Sequence, residues 1–231
     1  MPELTIKAKG GGEFGAYVVY PDAKDAPAVV VIQEIFGVNE IMRNTCKRLA
    51  AEGYIAICPD LFWRLEPGIE LTDQTEEEWD KAFELMNNFD IDKGVEDIQA
   101  TLETIRKDDG CNGKVGAMGF CLGGKLAYLT ATRTSSDATV GYYGVEIDKF
   151  IGEKDGIKKP LMLHIAEEDQ FVDKEAQSKI KDGLKNNPLV TIHSYPGMDH
   201  AFTRVGGDHY DEAASKAAHA RTHDFLLKYL K

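Results

Sequence analysis

The stretch Lys114-Val115-Gly116-Ala117-Met118-Gly119-Phe120-Cys121-Leu122-Gly123-Gly124 decides the fold. Its first half is typical of a buried strand, and residues 122–132 that follow are typical of a helix. A strand that turns sharply into a helix strains the residue at the bend, and side chains two positions away would collide with it or with neighbouring elements. Glycine at 119 and 123 removes those side chains, so the pattern predicts that the Cys121 sulfur projects into a cleft. A buried core cysteine is the competing interpretation of this turn taken alone.

The bulk composition narrows the class of protein. The chain has 231 residues, 43% hydrophobic and 29% charged, with a formal net charge of −12. This acidic balance argues against nucleic acid or an anionic membrane as the main partner. No apolar run approaches the length of about 20 residues that is needed to cross a bilayer. The start of the sequence lacks the basic and apolar regions of a signal peptide. We expect a single domain over 1–231.

The cysteines point to a reducing compartment. The sequence has four, Cys46, Cys58, Cys111 and Cys121, which are far apart and form no Cys-x-x-Cys pair. Neither a disulfide framework nor a zinc site is indicated, so we expect free thiols and a cytoplasmic location. Cys46 and Cys58 are expected to be inert core residues, and Cys111 a loop residue.

Strands and helices alternate along the chain. The patterns predict strands at 4–9, 13–20, 28–32, 54–58, 114–118, 138–143, 160–165 and 190–195, and helices near 39–52, 75–89, 92–107, 122–132, 174–184 and 210–229. Unbroken apolar runs such as 28–32 are typical of strands buried on both faces of a parallel sheet. We therefore predict an α/β fold with about eight mostly parallel strands and helices on both faces. The segment 62–90 exceeds what one crossover requires and is a candidate flap.

Chemically useful side chains follow four of these strands. Glu34 comes after 28–32, Cys121 after 114–118, Asp169 after 160–165 and His200 after 190–195. In parallel sheets, catalytic and binding residues lie at the carboxyl ends of the strands. The chain order nucleophile, acid, histidine is that of the α/β-hydrolase fold. The helix from Leu122 favours a thiolate at its positive end. The backbone N–H of Leu122 and one near Ile35 are candidate oxyanion donors.

Other acids and histidines compete for these roles. Asp169 is preferred because a short carboxylate near the turn suits orientation of an imidazole, and His200 because it alone lies in a post-strand loop. The alternatives are Glu167, Glu168, Asp173 and Asp199 among the acids, and His164, His193, His209, His219 and His223 among the histidines. His219 and His223 are spaced i, i+4, but a metal site needs more ligands. No cofactor motif and no metal site is indicated.

These residues resemble the dienelactone hydrolase (carboxymethylenebutenolidase) family over essentially the whole chain. The matching segments are 33–38, 58–62, 116–124, 141–144, 168–172 and 200–204. The resemblance implies a triad of Cys121, Asp169 and His200, with oxyanion donors at the Ile35 and Leu122 amides. It also implies that Glu34 contacts the resting thiol, is displaced by substrate, and helps to take the thiol proton. The competing interpretation is that Glu34 merely pairs with a cation.

The resemblance supports the catalytic chemistry of the family more strongly than its substrate. The family anchors a substrate carboxylate with two arginines, and only Arg204 has a match. The second position is Trp79 here, and a neighbouring family tyrosine is Phe83; both, with Phe36, are candidate substrate contacts. A larger or less polar ester suits these side chains better than the family substrate. Arg64 or Lys81 is a possible replacement cation, although both are also typical of solvated surface charges.

We therefore expect a hydrolase of a lactone or small ester, acting through a thioester. The alternatives are a carboxylesterase of different specificity on the same triad and a non-catalytic protein retaining the fold. A glutaminase-type flavodoxin-like protein is disfavoured because Phe202 stands where an acid is usual. A serine-hydrolase-like peptidase is disfavoured by the cysteine and the short chain. The expected partner is a small molecule, and the expected assembly a monomer or small homo-oligomer.

Overall fold

The computed structural model describes residues 3–231 and contains one sheet. Its strands are β1 (Glu3–Lys7), β2 (Glu13–Val19), β3 (Ala26–Ile32), β4 (Ile55–Pro59), β5 (Cys111–Phe120), β6 (Thr139–Tyr142), β7 (Leu161–Ala166) and β8 (Val190–Tyr195). Their order in the sheet is β1-β2-β4-β3-β5-β6-β7-β8. β1 pairs antiparallel with β2, and β2 antiparallel with β4, whereas β4 through β8 run parallel. The predicted eight-stranded, mostly parallel α/β fold is confirmed.

The central strands are buried on both faces, as their unbroken apolar sequences predict. Every residue of β3, β4, β6 and β7 is buried. β5 is longer than the predicted 114–118, because its first residues pair with the start of β3 through Ala26 and Cys111. Cys111 is therefore the first residue of a strand, and the prediction that it lies in a loop was wrong.

Within residues 3–231, six α-helices accompany the sheet. They are α1 (Glu40–Ala51), α2 (Glu76–Asn88), α3 (Ile91–Arg106), α4 (Leu122–Arg133), α5 (Lys174–Leu184) and α6 (Glu212–Leu230). Side-chain caps fix two predicted starts: Asn39 accepts from the Met42 N–H, and Thr75 from the Glu78 N–H. A run of 3₁₀ turns at Ile147–Gly156 was not predicted from the sequence. Within residues 3–231 no helix combines the length and apolarity that a bilayer crossing requires.

The helices cover both faces of the sheet. Crossovers between parallel strands are right-handed, so α1, which steps from β3 to β4, lies opposite α3, α4 and α5, which step the other way. α6 lies beside α1, where His223 contacts the Glu52 carboxylate at 3.1 Å and Lys231 donates to the Glu52 carbonyl at 2.7 Å. This layering leaves the carboxyl ends of β3, β5, β7 and β8 on one edge.

Candidate active site

Cys121 occupies the sharp turn between β5 and α4. Its backbone has φ 56° and ψ −115°, a conformation that side-chain-bearing residues rarely adopt. A Cβ on Gly119 would lie 2.1 Å from the carbonyl oxygen of Gly123, and one on Gly123 would lie 2.4 Å from that of Ile32. Both glycines are therefore required by close backbone approach, as the sequence predicts. The turn is held by the Cys121 N–H, which donates to the Tyr142 carbonyl at 3.1 Å.

The backbone around the sulfur offers positive charge. Cys121 is the N-cap of α4, and its side chain makes no capping hydrogen bond. The N–H groups of Leu122 and Ile35 donate no hydrogen bond within residues 3–231. Unpaired amides at a helix N-terminus favour an anion beside them, here a thiolate or the oxyanion of a tetrahedral intermediate.

His200 and Asp169 lie next to each other at the edge of the sheet where the parallel strands end. His200 Nδ1 is 2.9 Å from Asp169 Oδ2 and 3.1 Å from Oδ1, and both side chains are almost fully buried. The other ring nitrogen, Nε2, is buried and has no hydrogen-bond partner within residues 3–231. Burial alone lowers the pKa of His200, but the negative charge of Cys121 and the hydrogen bond to Asp169 outweigh it and raise that pKa to about 10. An imidazolium is therefore favoured at His200 when the Cys121 sulfur carries a negative charge.

The competing acids have other contacts. The Asp199 carboxylate accepts from the backbone N–H groups of His200 and Gln170, at 2.6 and 2.9 Å, and so holds the histidine loop. Glu167 and Glu168 pair with lysines on α5, and Asp173 caps that helix. Among the predicted acids, Asp169 is thus the one bonded to the His200 ring.

Two aromatic residues that were not predicted as site residues pack against His200 and position its ring. Phe171 and Tyr143 meet its ring edge-on, with centroid distances of 4.8 and 5.1 Å. The Tyr143 hydroxyl lies 2.9 Å from Thr203 Oγ1, and burial raises the pKa of this phenol. Phe171 is two residues after Asp169, and Tyr143 directly follows β6. Both could have been predicted from the rule that functional residues follow the carboxyl ends of parallel strands.

Glu34 is bound to Arg204 instead of to the thiol. Arg204 Nε donates to Glu34 Oε2 at 3.0 Å and Nη2 to Oε1 at 3.1 Å, while Nη1 donates to Asp73 Oδ2 at 2.8 Å. Cys121 Sγ makes no hydrogen bond to Glu34 in the described chain, so the predicted contact with the resting thiol is not made here. A guanidinium offers two charge-assisted hydrogen bonds, whereas a thiol is a weak donor.

A cavity of about 180 Å³ opens onto the sulfur. It is lined by Ile35, Trp79, Phe83, Met86, Cys121, Val145, Glu146, Phe171, His200 and Arg204. α2, which lies within the segment 62–90, supplies Trp79, Phe83 and Met86. Phe36 does not line this cavity: it is buried behind Trp79, which meets it edge-on at 5.0 Å, and beneath Arg204. A larger cavity, of about 480 Å³, lies beyond Glu34 and contains neither Cys121 nor His200.

The two suggested replacement cations lie elsewhere. Arg64 forms a two-point ion pair with Asp97, whose side chain is fully buried, and its guanidinium lies over the Trp63 ring. Lys81 pairs with Glu66 and Glu84. Neither lines the cavity, so the structure gives no support for either of them as a replacement for an anchoring arginine. Arg64 is also not a solvated surface charge, because the folding of 62–90 brings it to a carboxylate on α3.

Comparison with known proteins assigns the chain to a family. The model of the dienelactone hydrolase family matches residues 14–230. The chain belongs to the dienelactone hydrolase family. A candidate carboxymethylenebutenolidase of Azospirillum brasilense is 47% identical over 232 residues, covering 100% of both chains. The carboxymethylenebutenolidase of Pseudomonas putida is 40% identical over 223 residues, covering 96% of this chain and 94% of its own.

Solved structures agree. The crystal structure of a candidate dienelactone hydrolase from Klebsiella pneumoniae has a TM-score of 0.86 and 26% identity, and 98% of each chain is covered. The family resemblance, the α/β-hydrolase fold and the assignment to ester or lactone hydrolases are thereby confirmed. Within residues 3–231, no cluster of three or more His, Cys, Asp or Glu side chains is placed to hold a metal ion.

Proposed function

We propose that this dienelactone hydrolase family member cleaves a lactone or small ester, with Cys121 as nucleophile and a thioester as intermediate. One observation carries the proposal: Cys121 shares a cavity with a His200 ring that Asp169 orients and whose second nitrogen has no hydrogen-bond partner within residues 3–231. A nucleophile, a base and a group that orients the base are what covalent acyl transfer needs.

The steps follow from the contacts. The Cys121 thiol proton passes to His200, and the thiolate attacks the substrate carbonyl carbon. The N–H groups of Ile35 and Leu122 stabilise the resulting oxyanion. As the C–O bond breaks, the His200 imidazolium returns its proton to the leaving oxygen, which stays attached when the substrate is a lactone. A water that His200 deprotonates then attacks the thioester carbonyl and releases the acid and the Cys121 thiolate.

Glu34 enters this scheme as an accessory proton acceptor. Both its oxygens are bound by Arg204, and within residues 3–231 it makes no hydrogen bond to the sulfur. The switch implied by the family resemblance therefore requires Glu34 to leave Arg204 and turn toward Cys121. Arg204 holds Glu34 in the resting position of this switch, because it binds both carboxylate oxygens and also lines the reactive cavity.

Substitution of Cys121 tests the proposal. We expect Cys121→Ala to abolish hydrolysis of para-nitrophenyl acetate, and the wild type to form an acyl adduct on the Cys121 peptide that mass spectrometry detects after rapid quenching. Cys111→Ala is the matched control and should retain activity. Turnover by Cys121→Ala at the wild-type rate contradicts a thiol mechanism. Failure of the wild type to hydrolyse any of a panel of lactones and esters would favour the non-catalytic alternative.

The cellular setting is inferred from the thiols and the charge. Four free cysteines fit a cytoplasmic location, where thiols stay reduced. The net charge of −12 fits a small-molecule substrate better than nucleic acid. We keep the expectation of a monomer or small homo-oligomer, which size-exclusion chromatography with light scattering tests.

A further inference from the structure

Arg204 lines the cavity at Cys121, and the protein's own carboxylates already bind it. Glu34 takes Nε and Nη2, and Asp73 takes Nη1. The Arg204 side chain is only 6% exposed, and the Phe36 ring lies 5.0 Å from its guanidinium carbon. One positive charge thus faces two carboxylates in a buried setting, so a third carboxylate arriving with a substrate meets net negative charge.

Asp73 is held in this position from two sides. Trp79 Nε1 donates to the Asp73 carbonyl oxygen at 3.0 Å, which ties the residue to the first turn of α2. Burial alone would raise the pKa of the Asp73 carboxyl, but hydrogen bonds from Arg204 and Gln74 hold it below its ordinary value. The carboxylate therefore stays ionised at neutral pH and remains on Arg204.

The rest of the cavity adds apolar surface and another acid. Trp79 and Phe83 stack with centroids 5.6 Å apart, and Met86 lies beside them on the wall. Glu146 also lines the cavity, and its two oxygens are taken by Lys125, at 2.7 Å, and Lys149. Arg204 is the one arginine or lysine among the described lining residues, so a substrate carboxylate must compete with Asp73 for it even after Glu34 has left.

We propose that Asp73 is a specificity-determining residue that occupies Arg204 in place of a substrate carboxylate, so that the site takes uncharged esters or lactones with an apolar acyl group. This rests on the proposed hydrolysis through Cys121. A purely structural role, in which Asp73 only fastens the loop before α2, is the alternative. That role predicts equal losses for charged and uncharged substrates.

Two probes of similar shape separate these roles. Para-nitrophenyl valerate is uncharged, and mono-para-nitrophenyl glutarate carries a carboxylate at the end of its acyl chain. We expect the wild type to favour the valerate by about tenfold or more in kcat/KM, since like charges repel in a buried site. Asp73→Asn should narrow this preference by about tenfold, mainly through a lower KM for the glutarate, with little change for the valerate.

Asp80→Asn is the matched control. It removes the same charge from the same segment, but Asp80 is exposed and has no contact with Arg204, so the preference should stay at its wild-type value. Preference of the wild type for the glutarate, or an unchanged preference in Asp73→Asn, overturns the assignment of Asp73 while leaving the hydrolase intact. Equal losses for both probes indicate the structural role and also overturn it.

Inhibition of the wild type gives a second test that needs no variant. We expect valeramide, an uncharged ligand, to compete with the valerate ester more strongly than glutarate monoamide, which carries a carboxylate. Stronger competition by glutarate monoamide contradicts the proposal even if Asp73→Asn fails to fold. Absence of hydrolysis of either probe, together with absence of an acyl adduct on Cys121, refutes the proposed function itself.

Discussion

Arg204 binds both carboxylate oxygens of Glu34 in the protein interior, with distances of 3.0 and 3.1 Å, although the two residues are 170 positions apart in sequence. Their side chains are 6% and 2% exposed. Breaking a buried ion pair by removing one partner leaves an uncompensated charge, which costs stability. The pair therefore holds the loop after β3 against the loop after β8, and it keeps Glu34 away from the sulfur until something displaces it.

Glu34→Gln tests whether this carboxylate takes part in acylation. Glutamine has a similar shape but cannot accept the thiol proton as a base, so the pre-steady-state burst with an activated ester should slow by about tenfold or more, with His200 still present as base. Hydrolysis of the isolated thioester should be unchanged. Glu40→Gln serves as control, because Glu40 is exposed and forms no ion pair with Arg204 in the part of the chain that the structure describes. An unchanged burst in Glu34→Gln shows that Glu34 only pairs with Arg204.

The raised pKa of His200 predicts where activity is lost at high pH. With that pKa at about 10, the imidazolium that protonates the leaving group persists through neutral pH and is lost as pH rises through about 10. The kcat/KM for an activated ester, corrected for spontaneous hydrolysis, should fall there. Asp169→Asn removes a carboxylate that stabilises the imidazolium, so this fall should move to lower pH and the plateau should drop.

Glu168→Gln is the control for that pH profile. It removes the carboxylate next in sequence, which pairs with Lys174 on the surface and does not contact the His200 ring. Its profile should match the wild type. If kcat/KM of Asp169→Asn falls at the same pH as that of the wild type, the loss of activity at high pH does not come from deprotonation of His200.

The parts of the site that the sequence predicts depend on local geometry. Glycines at 119 and 123 are readable because only a missing side chain permits the backbone contacts around Cys121. The caps at Asn39 and Thr75 follow in the same way from side chains that bond to N–H groups three residues ahead. The order of residues after successive strands places His200 and Cys121 at one edge, because parallel strands end together.

The side-chain partners of the charged residues were not readable. The family resemblance implies that Arg204 binds a substrate carboxylate. In the structure it is bound by Glu34 and Asp73, which are 170 and 131 positions away in sequence. Such pairings depend on how loops pack after the sheet forms, and no spacing rule encodes them. The 3₁₀ run at Ile147–Gly156 was missed because its apolar residues, Ile147, Phe150 and Ile151, mark a single helical turn, which is too short to predict a helix.

Arg64 gives the sharpest separation between stability and activity. Its Nη2 donates to Asp97 Oδ1 at 3.0 Å, and the Asp97 carboxylate, fully buried, also accepts from Trp63 Nε1 at 2.9 Å. Arg64→Met removes the ion pair with Arg64, so the buried Asp97 carboxylate keeps the hydrogen bond from Trp63 Nε1 but loses its charged partner. We expect the free energy of unfolding to fall by about 3 kcal/mol, the low end for a broken buried pair, because Arg64 is 26% exposed.

Activity of Arg64→Met should be that of the wild type at temperatures where the variant is folded, because Arg64 does not line the cavity at Cys121. Chemical denaturation followed by circular dichroism measures the first effect, and kcat/KM for charged and uncharged esters the second. Lys81→Met is the matched control: its ion pairs with Glu66 and Glu84 are exposed, so stability and activity should both stay near wild type. A selective loss of activity toward the carboxylate-bearing ester in Arg64→Met would restore Arg64 as a substrate anchor, and would mean that the loop carrying it turns toward Cys121 when substrate binds.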